Sequence, residues 1–258
     1  MSAKMKKLIA GVFTITLLLS CEDDLQINTD KNTYYDDISD ITMLNGHFFS
    51  TNYDLSGHAG SQIDLLKFDE DGAGDYYIDG SFDLDMNGQG YIAITNDGED
   101  LYLQSRNTSL LISCSPIAQQ AYSGMDDIAT NWQPSGLAYD GDKDSLLALY
   151  RNREDRSQYR LRTLSKSREL NSGGDAYFSL DFIDQGYSGI YALEYFNQSF
   201  YMLAVDTTQT DALIILDQAF QVQQIESILD STVVGLCFNG NELFFSYRDK
   251  RIEKWNSY

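Results

Sequence analysis

Pro134-Ser135-Gly136-Leu137-Ala138-Tyr139-Asp140-Gly141, followed after a short acidic loop by Leu146-Leu147-Ala148-Leu149, is the stretch that organises the rest of the chain. A small residue leads an apolar strand, an Asp-Gly turn reverses it, and a second apolar strand returns. Asn-Gly and Asp-Gly are strong hairpin signals because both residue types tolerate the positive φ that a tight two-residue turn demands. The same opening recurs in Tyr187-Ser188-Gly189-Ile190-Tyr191-Ala192 and in Val233-Val234-Gly235-Leu236-Cys237-Phe238. Asp40 and Gly90 lead two looser versions, so five anchors follow one another at intervals of 46 to 53 residues.

Each unit continues alike. The turns are Asn45-Gly46, Asp97-Gly98, Asp140-Gly141, Asn197-Gln198 and Asn239-Gly240. Third strands are legible at residues 63–68, 110–114, 159–164, 213–216 and 252–255, and weaker fourth strands at 75–82, 119–123, 176–183 and 221–225. A period near 40–50 residues with four strands per unit is that of a propeller blade. No segment sustains a 3.6-residue apolar period with helix caps. The expected fold is therefore all-β: a β-propeller of five blades, each of four antiparallel strands. The chain ends at Tyr258 before a fourth strand of the fifth unit. Asn32-Thr33-Tyr34-Tyr35-Asp36-Asp37-Ile38, which resembles Gly74-Asp75-Tyr76-Tyr77-Ile78-Asp79-Gly80, is expected to complete that blade and close the ring.

The composition suits a folded body. Of 258 residues 43% are hydrophobic, enough to build a core. The chain carries 39 acidic against 18 basic side chains, a net charge of −21, which argues against nucleic acid as a partner. Residues 1–20 read as a secretory signal: Lys4, Lys6 and Lys7 precede an apolar run at 8–19 too short to span a bilayer. The run ends in Leu18-Leu19-Ser20-Cys21, which resembles the lipobox of bacterial lipoproteins; the resemblance implies cleavage before Cys21 and its lipidation. Residues 21–31 then form a tether and 32–258 the propeller. Glu22-Asp23-Asp24 resembles the acidic stretch that directs some Bacteroidetes lipoproteins to the cell surface. Without the three signal-segment lysines, 15 basic residues face the 39 acidic ones, a net charge of −24. The expected location is the bacterial cell envelope, anchored by lipid to the outer membrane on its periplasmic or surface face. Cys114 and Cys237, both inside apolar runs, read as buried free thiols.

The repeated Ser-Gly-apolar run, acidic turn and returning strand resemble bacterial β-propeller lipoproteins of the NHL-repeat, SMP-30-like and SdiA-regulated kinds. That group includes hydrolases, binding modules and scaffolds, so the resemblance implies a fold more than an activity.

Chemistry-bearing motifs are few. There is no nucleophile elbow, zinc-protease helix or Walker loop. His47 and His58 are the only imidazoles. Asp83-x-Asp85-x-Asn87-Gly88 matches the first half of an EF-hand loop, but Ile94 stands where the bidentate Glu belongs. Calcium at Asp83, Asp85 and Asn87 is thus the one cofactor candidate. Asp140, Asp142 and Asp144 form a second alternating acidic set, and Asp69, Glu70 and Asp71 a third. The basic residues are concentrated: Arg151, Arg153, Arg156, Arg160 and Arg162 fall close together, a positive patch on a negative body fit to orient an acidic partner or glycan. The function these features suggest is a monomeric, lipid-anchored, non-catalytic binding or scaffold module for an envelope protein or glycan. The alternative is a calcium-dependent hydrolase of lactonase or phosphoesterase type, with carboxylates from several blades meeting at the axial mouth.

Overall fold

Alternating apolar residues and tight Gly- or Asn-bearing turns produce antiparallel meanders, and five of them make up the computed structural model. It describes residues 38–52, 64–70, 75–83, 91–105, 110–115, 120–125, 131–166, 172–179, 187–206 and 211–256. Sheet 1 contains β1 (Ile38–Leu44), β2 (His47–Asn52), β3 (Asp64–Glu70) and β4 (Tyr76–Asp83). Sheet 2 contains β5 (Tyr91–Asn96), β6 (Leu101–Ser105), β7 (Leu110–Ser115) and β8 (Gln120–Met125). Sheet 3 contains β9 (Trp132–Asp140), β10 (Ser145–Asn152), β11 (Gln158–Ser165) and β12 (Ser172–Ser179). Sheet 4 contains β13 (Tyr187–Phe196), β14 (Ser199–Asp206), β15 (Asp211–Asp217) and β16 (Val222–Ile228). Sheet 5 contains β17 (Val233–Asn239), β18 (Glu242–Tyr247) and β19 (Ile252–Lys254).

The first strand of each sheet packs on the first strands of its two neighbours: β1 on β5, β5 on β9, β9 on β13, β13 on β17, and β17 back on β1. That closed circuit is a five-bladed β-propeller with β1, β5, β9, β13 and β17 around the axis. Among the described residues there is no helix, and the fifth blade has three strands. Of the segment expected to supply its fourth strand, Ile38 already belongs to β1, opposite Asn52, and the remainder lies outside the described residues. β12 begins four residues earlier than the sequence pattern indicates, with a register shift opposite Thr163 and Leu164 where Gly173-Gly174 relaxes the backbone.

The apolar core is divided into five clusters, one between each pair of neighbouring blades. Ile41, Phe48, Phe68, Cys237 and Phe244 fill the seam between the first and last blades, and Leu193, Met202, Leu149, Leu161 and Tyr159 that between blades three and four. Cys114 and Cys237 are free and buried, in different clusters.

Hairpin geometry follows the turn residues. Asn45 and Gly46 take φ of 53° and 83°, and Asn197 and Gln198 take 48° and 61°. In the fifth blade the two-residue loop is Gly240-Asn241, because Asn239 still pairs with Glu242. In the third, Asp140 is the last strand residue, and its Oδ1 accepts the amides of Asp142 and Lys143.

Candidate ligand site on the propeller axis

Every innermost strand carries a register irregularity at the same depth, where it opposes its second strand. Just past it the strands come closest, and the residues there are Asp40, Ala93, Gly136, Ala192 and Gly235. A Cβ on Gly235 would lie 2.5 Å from the Cα of Asp40, and one on Gly136 would lie 2.8 Å from the Cβ of Leu193. Small side chains are required because backbones converge at this tier. Gly189, expected as the fourth blade's anchor, is instead at the start of β13 beside the Arg151 guanidinium, and Ala192 takes its place. Gly90 lies outside the described residues. The next tier is wholly apolar and buried: Ile41, Ile94, Leu137, Leu193 and Leu236. The third tier is Thr42, Thr95, Ala138, Glu194 and Cys237.

The one large polar residue in the first tier, Asp40, joins three blades. Its Oδ1 accepts the amide of Ile41 at 3.0 Å and that of Leu236 in the last blade at 3.2 Å, and the Ile94 amide of the second blade lies near enough to act on the same carboxylate. These are equivalent amides, left over on the inward edge of strands that have no further neighbour. Its Oδ2 is buried with no partner. Around it, Ser50 donates to the Asp40 carbonyl at 2.9 Å, and the Ser39 and Thr51 hydroxyls bond each other.

Glu194 faces the axis from the fourth blade. Its Oε1 accepts the amide of Tyr195 at 3.1 Å, and the residue stays partly open to solvent despite lying on an innermost strand. Burial, then the charge of Glu194, pushes the Asp40 carboxyl well above its ordinary range against the pull of the three amides. Burial pushes Glu194 up to about 8. The Cys237 thiol is raised by burial and then by both acids. Two acids from different blades therefore share the axis. Neither the charges acting on Glu194 nor those acting most strongly on Asp40 include a basic side chain.

Apart from Asp140, the last residue of β9, those sequence-predicted site residues that are described sit outside the inner strands. Asp83 ends β4, opposite Asp64, while Asp85 and Asn87 are outside the described residues, as is Cys21. Asp144 pairs with Lys166, which also holds Asp97 of the neighbouring blade at 2.7 Å, so the second acidic set organises a turn and a blade seam. His47 bonds Asp69. Arg160 and Arg162 share a face of β11, as strand alternation requires, and both bind Asp175 of β12. Arg151 donates to the carbonyl of Arg156 at 2.9 Å, while Arg153 and Arg156 are exposed. Among the described residues no three His, Cys, Asp or Glu side chains gather to hold a metal.

Glu194 was not singled out from the sequence. Its signal is positional: aligning the five inner strands puts it where the other units have Thr, Thr, Ala and Cys, which is an unusual place for a carboxylate. A second buried anomaly is Gln104, opposite Ala93, whose amide oxygen and nitrogen both lack a partner among the described residues. The equivalent residues in blades three and four are Leu149 and Leu203. Gln104→Leu is expected to raise unfolding stability by ~1–3 kcal/mol in chemical denaturation, by removing an unsatisfied buried amide; a loss of stability would show that the amide has a partner.

No family model matches the chain, and no curated protein matches it by sequence. Solved structures do match in shape. A glutaminyl cyclase from Myxococcus xanthus superposes with a TM-score of 0.59 at 15% identity, covering 85% of this chain and 90% of that one. A luciferin-regenerating enzyme gives 0.51 at 13% identity, covering 82% and 70%. A nidogen/laminin complex gives 0.50 at 12%, covering 85% and 80%. At such identities these likenesses define the class of fold, a β-propeller, and no activity.

Proposed function

We propose that this chain is a lipid-anchored β-propeller of the bacterial cell envelope that binds an envelope protein or glycan without catalysing a reaction on it. The observation that carries this reading is the β10–β11 loop. Asn152 Oδ1 accepts the amides of Glu154 and Asp155, and the Arg153 amide bonds the carbonyl of Asn131 at 2.8 Å, so the loop is held at both ends. It presents Arg153 and Arg156 outward on a body of strongly negative net charge. Its two exposed arginines flank the exposed Glu154 and Asp155, and a rigid loop of such alternating charge orients a partner of complementary charge at little ordering cost. Because Arg160 and Arg162 are tied to Asp175, the docking role narrows to these two residues. Arg153→Glu with Arg156→Glu is expected to abolish recovery of the crosslinked envelope partner. Recovery equal to wild type would refute the docking site.

The anchor is tested separately. Metabolic labelling with an alkyne fatty acid should tag the wild-type protein and not Cys21→Ser; a labelled Cys21→Ser protein would remove the lipoprotein reading.

A second reading, the calcium-dependent hydrolase, draws support from the meeting of Asp40 and Glu194 at the axis. It predicts a rise in melting temperature with millimolar calcium, since ligand binding stabilises by RT ln(1 + [L]/Kd). An unchanged melting temperature would dismiss it.

A further inference from the structure

We infer that the propeller axis takes a ligand through a protonated amine, held between Oδ2 of Asp40 and Glu194. The inference deepens the binding-module reading and rests on it. Asp40 is 1% exposed, yet its Oδ2 has no partner among the described residues, although buried acceptors are nearly always paired in a folded protein. The other oxygen accepts the amides of Ile41 and Leu236, which hold the carboxylate in place. Glu194 stands on another blade with Oε1 engaged by its neighbour's amide, and the residue is only partly buried. The charge of Glu194 acts on Asp40, and a cation between them would relieve that repulsion.

Donor counting selects the cation. Calcium needs six to eight oxygens. Here the two carboxylates offer one uncommitted oxygen each, and the Thr42 hydroxyl in the same tier already accepts the Asn96 amide at 2.7 Å. No third acid joins them among the described residues. An ammonium group, with three donors and no acceptor, matches two carboxylate oxygens and one further acceptor. Charge-assisted hydrogen bonds of that kind are about twice as strong as neutral ones.

The test is calorimetric titration of the purified full chain with methylammonium chloride, beside tetramethylammonium chloride and calcium chloride, at constant ionic strength near pH 9. The expected result is saturable methylammonium binding, no binding of tetramethylammonium, which has no N–H donor, and binding about tenfold or more weaker in Glu194→Gln. Binding should weaken as pH falls through about 8, where Glu194 takes up a proton that competes with the cation. Equal binding of both ammonium ions, calcium binding that Glu194→Gln abolishes, or methylammonium binding unchanged in Glu194→Gln would each overturn the assignment. An absence of methylammonium binding overturns it too, and leaves partner capture through Arg153 and Arg156 to be judged by its own experiment.

Discussion

Gly235→Ala is expected to open the seam between the first and last blades and to leave the protein largely unfolded under conditions where Gly141→Ala is native. The added methyl would lie 2.5 Å from both the Cα and Oδ1 of Asp40 and 2.8 Å from the Ile41 nitrogen. Two of those atoms are backbone, and the third is pinned by the amides of Ile41 and Leu236, so nothing nearby can move aside cheaply. Relief requires β1 and β17 to separate, which exposes the cluster of Ile41, Phe48, Cys237 and Phe244. Overpacking that backbones cannot absorb costs 1–3 kcal/mol or more. Loss of the Leu236–Asp40 bond at a buried site adds ~1–3 kcal/mol. The total approaches the ~5–15 kcal/mol by which a domain is stable. Gly141 is the control, since a methyl there meets only the Tyr139 ring at an ordinary 3.7 Å. Gly136→Ala, which would press on the Cβ of Leu193, should fall between them. Circular dichroism melts of the three variants measure the order; equal melting temperatures for Gly235→Ala and Gly141→Ala would contradict the axial contact.

Glu194→Gln should raise the melting temperature by an amount that grows from about pH 4.5 to about pH 8 and then levels off. The carboxyl is pushed from its ordinary 4.5 up to about 8 in the folded protein. The folded state therefore keeps this proton where the unfolded chain has already released it. The resulting contribution to stability is fully present below about pH 4.5 and is lost as pH rises through about 8. Gln, which carries no proton to lose, escapes that decline. Allowing for the channel's access to water, the gain near pH 9 is of the order of 3 kcal/mol. For a chain this long that is roughly 5–10 °C in melting temperature. Near pH 4 the variant and wild type should melt together. The other titratable groups facing Glu194 are Asp40 and Cys237, and Tyr201 is its cross-strand partner; all are raised by burial, so none restores the charge balance. Asp97 works in the opposite window. Burial pushes it up, but the amides of Asp100 and Glu99 with Lys166 and Tyr102 outweigh that and bring it to about 2, so its contribution is lost only in strong acid. A gain for Glu194→Gln that is the same near pH 4 and pH 9 would mean that packing, not charge, is responsible.

The ring itself was legible in the sequence. Hairpins announced by Asn45-Gly46 and Asn197-Gln198 form where expected, and the third strands around Leu110 and Tyr159 are in place. These features depend on local turn chemistry and strand alternation, which one sequence displays. The axis was less legible. Ser-Gly repeats led to Gly189, whereas the crowded position is Ala192, because the register irregularity beside it arises from pairing with β14 and leaves no mark in composition. The surroundings of the arginine patch were hidden for a related reason: Asp175 is thirteen residues beyond Arg162, and only the pairing of β11 with β12 brings it beneath both guanidinium groups. In the sequence Asp40 only heads a looser version of the repeat and Glu194 stands in no motif, since their proximity depends on blades one and four closing around a common centre.

That closure is tested most directly by nuclear Overhauser spectroscopy on a deuterated, nitrogen-15-labelled sample. The amides of Ile41 and Leu236, 195 residues apart in the chain, donate to the same oxygen of Asp40. Their protons should therefore give a clear cross-peak, and in Asp40→Ala both should exchange faster with solvent. Assigned Ile41 and Leu236 amides with no cross-peak between them, one of them instead close to a strand outside blades one, two and five, would contradict a wheel closed at its first and last blades.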